Sequence, residues 1–173
     1  MLKGIALGVV LTLVVIAIGG LAVVKMGLVP ANADAPVNGM EYWAAHTSLR
    51  ATIRREALKT DNPLPLNDSN LLAGVKLYGQ NCAVCHGDSS GNATNIAKGL
   101  YQHAPQFAKH GVEDDPDGVT YWKVTHGMRW TGMPSFGAAL SDTQIWQVVL
   151  FLKNMNSLSP AAKRAWSSVA ANR

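Results

Sequence analysis

Cys82-Ala83-Val84-Cys85-His86 is the segment of this chain whose residue types and spacing most directly imply chemistry. Three chemistries use thiols this close together. A thioredoxin-type dithiol needs a strand-to-helix setting, and these cysteines end a helical pattern. A structural zinc site needs four ligands, whereas Cys82, Cys85 and His86 make three and the chain has only two cysteines. Covalent haem attachment uses every residue of the segment: two thiols separated by two residues reach two vinyl groups, and the adjacent imidazole lies under the iron. The expected cofactor is one haem c, bound through Cys82 and Cys85, with His86 as an iron ligand.

The sixth ligand of such an iron decides between electron transfer and chemistry at the metal. Met128, Met133, His103, His110 and His126 are the candidates. Met133 stands out because Thr131-Gly132-Met133-Pro134-Ser135-Phe136-Gly137 cannot be regular helix. Pro134 biases Met133 to extended backbone, and Gly132 permits close approach to a flat ring. A thioether favours reduced iron and raises the potential relative to two imidazoles. Met133 is therefore the expected second axial ligand, with the histidines as alternatives.

These residues need elements to hold them. Asp68 or Ser69 can cap a helix that runs through Leu71, Leu72, Val75 and Tyr78 into the cysteines. Residues 87–118 are rich in Gly, Asn and Ser with weak periodicity. Asp117 can cap a short helix over 119–126. Ser141-Asp142-Thr143-Gln144 has the capping-box pattern, and Ile145, Val148, Val149 and Leu152 follow as an apolar stripe. No strand alternation of useful length and no internal repeat occurs. The expected fold class is all-α with long loops.

Upstream, residues 4–24 hold no ionisable side chain. Those 21 positions would form a helix about 31 Å long, close to the hydrocarbon thickness of a bilayer. Ala31-Asn32-Ala33 offers a signal-peptidase pattern, yet the apolar run is longer than a signal peptide's and ends well before it. An uncleaved signal anchor is the expectation, with a cleaved signal as its alternative. Residues 41–59 lack Gly and Pro, and place Tyr42, Ala45, Leu49 and Ile53 at helical spacing, with Arg50, Arg54 and Arg55 on other faces. That charged side reads as solvated, or as a contact for lipid headgroups or a partner. The resulting division is a transmembrane anchor over 1–27, a linker with an amphipathic helix over 28–67, a monohaem domain over 68–158 and a C-terminal tail over 159–173.

Composition removes other classes. Apolar residues make up 48% and charged ones 15%, too hydrophobic for a disordered chain. The formal charge of +4 includes Lys3 and Lys25 beside the apolar run, so the remainder has no basic stripe suited to nucleic acid.

Over residues 70–158 the chain resembles the class I cytochrome c family. Gly74 and Tyr78 stand where that family has the glycine and aromatic residue of its N-terminal helix, and Val148 and Phe151 occupy the facing positions of its C-terminal helix. Gly132-Met133-Pro134, followed by Phe136, is similar to its axial-methionine loop. The resemblance implies helices packed around one haem, and a proline-region carbonyl that accepts the proximal imidazole's proton. Pro105 is the counterpart, further from His86 than is usual in the family. Trp122, Trp130 and Trp146 are candidates to pack beside the macrocycle. Arg129 is a candidate for a haem propionate, with a solvent-facing guanidinium as its alternative. With the upstream helix, the chain resembles membrane-anchored bacterial monohaem cytochromes.

The function this implies is one-electron transfer between extracytoplasmic or membrane redox partners, the iron cycling Fe(II)/Fe(III) under His/Met ligation. A fixed haem-bearing subunit of a larger membrane complex is the second reading, and a sensor or enzyme with a displaceable Met133 the third. Haem c is assembled outside the cytoplasm, so the expected arrangement is a single pass through the cytoplasmic membrane. The N-terminus then lies inside and the haem domain in the periplasm or its equivalent.

Overall fold

The structure is a computed structural model that describes residues 2–111 and 114–170; the regular elements among them are all helices, with no strand. Positions 1, 112–113 and 171–173, parts of the expected anchor, loop stretch and tail, lie outside the described residues. The chain divides into two compact units, Met1–Ala35 and Pro36–Arg173.

The first unit is built on α1, Leu2–Lys25, with no acidic residue in its first turn and no buried side chain. At 24 residues it extends about 36 Å, long and apolar enough to cross a membrane. Gly27 ends it with φ +67°. The Leu28 amide donates to Val23 O and the Gly27 amide to Val24 O, both at 3.1 Å, the pair of bonds that closes a helix through a left-handed glycine.

In the second unit, α2 (Gly39–Glu56) starts where the Asn38 side chain accepts the Met40 amide at 2.9 Å. Helix α3 (Asp68–Asn81) is capped by Asn67, one residue before the expected Asp68 or Ser69, because the Asn67 carboxamide accepts the Asn70 amide at 2.9 Å. Three single turns follow: α4 (Ala83–His86), α5 (Asn95–Lys98) and α6 (Phe107–His110). Then come α7 (Asp117–His126) and α8 (Asp142–Lys153), the latter with both capping-box bonds between Ser141 and Gln144 in place. Helix α9 spans Pro160–Ser168.

The core lies where α3 crosses α8. Tyr78, Val148 and Phe151 are fully buried, and Tyr78 meets Phe151 edge-on at 5.3 Å. The crossing is close because position 74 has no side chain. A Cβ there would sit 2.2 Å from Gln147 O and 2.9 Å from the Phe151 Cβ. Since neither neighbour can turn aside, Gly74→Ala must push the two helices apart. It is expected to destabilise the holoprotein by about 1–3 kcal/mol or more, read as a lower denaturant midpoint with the slope preserved.

Two expected boundaries change. The stretch 159–173 is not a simple tail: α9 buries Ala162 and Trp166, and Trp166 packs edge-on against Tyr78 at 5.2 Å. Of residues 28–67, expected as a linker with an amphipathic helix, the helix is present as α2 and everything from Pro36 belongs to the second unit. The Asn62 amide donates to Asp117 Oδ2 and its side chain to Trp146 O, each at 2.9 Å. Gly118 leaves room for Leu58 O, which a Cβ there would meet at 1.9 Å. These bonds join residues 55 to 84 apart in sequence, so local composition carries no trace of them.

Candidate functional site

Helix α3 delivers the thiol segment to the end of the core. Its cap is Cys82, whose amide still bonds to Tyr78 O, and α4 turns the chain so that Cys85 and His86 follow one helical turn on. Gly87 then leaves at φ +78°. The segment is pinned from outside by three groups. Tyr78 donates its hydroxyl to Gly87 O at 2.8 Å, Thr94 to Val84 O at 2.5 Å, and the Gln106 carboxamide to Cys85 O at 3.0 Å. Thr94 and Gln106 are buried. Neither is visible as a functional residue in the sequence, because each acts across 10 to 21 positions.

His86 is buried, with Nδ1 2.9 Å from Pro105 O. A carbonyl can only accept, so Nδ1 carries the proton and Nε2 keeps its lone pair. Phe107 lies flat against the imidazole at 4.2 Å and 7°. Burial lowers the pKa of His86, partly offset by the Pro105 carbonyl. The ring is therefore held neutral, fixed in rotation and fixed in tautomer, which is what a metal-ligating imidazole needs.

Both thiols are free of any disulfide. Burial pushes Cys82 up to about 12, with Cys85 adding to the rise. That is the opposite of the depressed pKa of a reactive dithiol. Among the described residues no group of three or more His, Cys, Asp or Glu converges as a bare metal ion would require.

Cys82, Cys85, His86 and Met133 all line one cavity, together with Met128 and His103. Its volume is about 170 Å³, roughly ten times what a single water requires. Tightly packed interiors do not leave voids of that size by accident. Part of the wall is the loop after α7. There Met128 N donates to Met133 O at 3.1 Å, and Thr131 bridges the turn by donating to Met128 O and accepting from Met133 N. Gly127, at φ +66°, lets this loop fold back; a Cβ there would meet the Pro134 carbonyl carbon at 2.5 Å. Two thiols, an oriented imidazole and thioethers around an apolar space fit the donor set of a covalently held haem.

The remaining sequence candidates fall elsewhere. His110 lines neither this cavity nor a second one of about 720 Å³ that lies between α2 and the end of α7. Arg129, Trp122, Trp130 and His126 line that second cavity and not the first. Trp146 stacks on Tyr121 at 4.2 Å, outside the first lining. None of the three expected tryptophans faces the first cavity, where Tyr78, Phe107 and Phe136 are the aromatic residues.

Residues 69–152 match the family model described as cytochrome C oxidase, cbb3-type, subunit III. The match covers just under half of the chain and leaves α1 and α2 outside it. No curated protein and no solved structure matches the chain.

Proposed function

We propose that this chain, whose residues 69–152 are a c-type cytochrome domain, is a membrane-anchored monohaem cytochrome c that passes single electrons between redox partners on the extracytoplasmic side of a membrane. One observation carries the reading: His86, its Nδ1 bonded to Pro105 O at 2.9 Å, shares a single apolar cavity with Cys82, Cys85 and Met133. Haem bound there supplies an Fe(II)/Fe(III) couple. Cys82 and Cys85 would hold it as thioethers, each S–H adding across a vinyl C=C with the sulfur on one carbon and the hydrogen on the other, so that no outside oxidant or reductant would be needed. His86, with Nε2 unprotonated, and Met133, with its thioether, would be the residues of this cavity to hold the iron. If His86 and Met133 both held the iron, small molecules would be kept from the metal and outer-sphere electron transfer would be the chemistry left to it. The apolar walls exclude water, so little solvent has to reorganise when the charge changes.

Helix α1 supports the anchor, since it is long and apolar enough to span a bilayer and buries nothing within its own unit. Tethering keeps the domain near membrane-bound partners and raises their effective concentration without a tight docking surface. A chain beginning at Pro36 is expected to keep the haem spectrum of the whole protein. At equal total amount it is expected to sustain much less electron flow in membranes. Equal flux would show the anchor to be dispensable, and a mature N-terminus near Asp34 would show a signal peptide.

A second reading is favoured by the description of the matched family, a subunit of an oxidase. In it the chain is a fixed electron-wiring subunit. Co-purification of the intact chain with a membrane complex at constant ratio would support that arrangement over a free carrier.

A further inference from the structure

Among the second unit's helices longer than two turns, α2 alone has no buried side chain. Its inner side, including Ala45, Leu49, Thr52 and Ile53, is half-buried toward the domain. On the opposite side stand Met40, Trp43, Thr47, Arg50, Ala51 and Arg54, all exposed. At 100° per residue these six fall within a sector of about 100°. Met40 is 77% exposed and Trp43 66%, the values of side chains that the domain does not cover at all. No carboxylate shares the stripe: Glu41 lines the cleft on the inner side, and Glu56 pairs with Arg55 at 2.7 Å. Among the described residues no ion pair engages Arg50 or Arg54. The stripe is thus apolar at its N-terminal end and purely cationic toward its C-terminal end.

The helix starts close to the anchor in sequence. Residues 26–38 alone separate α1 from α2, and 13 residues reach at most roughly 45 Å even when fully extended. Two prolines, at 30 and 36, sit in this stretch. If α1 spans the bilayer, Met40 and Trp43 are kept within that reach of its surface.

We infer that the outer face of α2 lies on the membrane surface. Met40 and Trp43 enter the boundary between headgroups and acyl chains, and Arg50 and Arg54 contact the phosphates of anionic lipids. Each residue type suits its place. Indole prefers the interface, where its ring is in apolar surroundings and its N–H stays wet. Arginine lays its methylenes along the surface with the guanidinium among phosphates. A helix with one such stripe lies in the plane of the interface. Because the inner side of α2 faces α7 and the segment 126–130 across the second cavity, this contact also sets which side of the domain turns toward the bilayer. The inference rests on the reading of α1 as an anchor.

The test uses the full-length holoprotein in vesicles of phosphatidylcholine alone or mixed with phosphatidylglycerol, with co-flotation and amide hydrogen exchange measured together. Exchange over 39–56 is expected to slow about thirtyfold when the anionic lipid is present, the scale of two arginines attracted to a charged surface. Exchange in α3 and α8 should be unchanged. Arg50→Glu with Arg54→Glu should abolish the protection while the protein still floats with the vesicles and keeps its haem spectrum, and Trp43→Ser should weaken it. Equal exchange in both lipids, with the protein still floating, would overturn the inference and leave the stripe to an acidic protein surface. Failure to float would overturn the anchor reading and this inference with it.

Discussion

Replacing Cys82 and Cys85 together with alanine is expected to eliminate covalently bound haem. In the unaltered protein the haem should stay on the polypeptide through a denaturing gel and through acid-solvent extraction; in the double variant it should be lost entirely to the solvent. The size of the effect follows from bond type, since a thioether survives unfolding and axial coordination does not. Folding should suffer as well. The cavity that Cys82, Cys85, His86 and Met133 share sits against Tyr78, Val148 and Leu152 of the main core, so an unfilled site removes packing from both α3 and α8. Each single variant keeps one possible thioether and should retain part of the covalent haem. A wild-type chain that carries zinc in place of haem would overturn the assignment at its root.

Met133→Ala is expected to have the second largest effect, on the iron itself. Loss of the thioether should remove the weak far-red absorption of sulfur-to-iron charge transfer and open the metal to carbon monoxide and cyanide. It should also lower the reduction potential on the order of 0.1 V, within the roughly 0.8 V that axial ligands span. Met128 is the informative comparison, because it lines the same cavity and its amide is bonded to Met133 O. Met128→Ala should change the loop's packing and leave the spectrum and potential nearly intact. The reverse pattern would assign the ligand to Met128. A six-coordinate low-spin spectrum that persists in Met133→Ala would point to a histidine, and His103 is the one that lines the cavity.

Much of this site can be read in the order of residues because its chemistry is local. Cys82, Cys85 and His86 lie on adjacent turns, so their spacing alone carries the haem assignment. The same holds for the long apolar run, which is long enough to cross a bilayer, and for the α8 capping box, whose two bonds join residues three apart. Glycine at 74 suggests a close crossing through family resemblance, but only the structure shows that Gln147 O and Phe151 occupy the space.

What the sequence left open is long-range. The pairing of His86 with Pro105, implied by the family resemblance and not by the residues' own pattern, spans 19 residues, and the bond from Gln106 to Cys85 O spans 21. Both depend on how the aperiodic stretch after Gly87 folds back, which no helical or strand period encodes. Trp166 shows the same limit, since an aromatic residue near a chain end gives no sign that it will pack on Tyr78. Arg129 and Trp130 stand four and three residues from Met133 and yet line a different cavity, because the turn held by Gly127 and Thr131 separates their sides of the loop. Proximity in sequence determined which groups could react, since ligand spacing is fixed by covalent geometry. Which groups share a cavity was decided by tertiary packing, since only the crossing of helices and the return of loops bring distant backbone together.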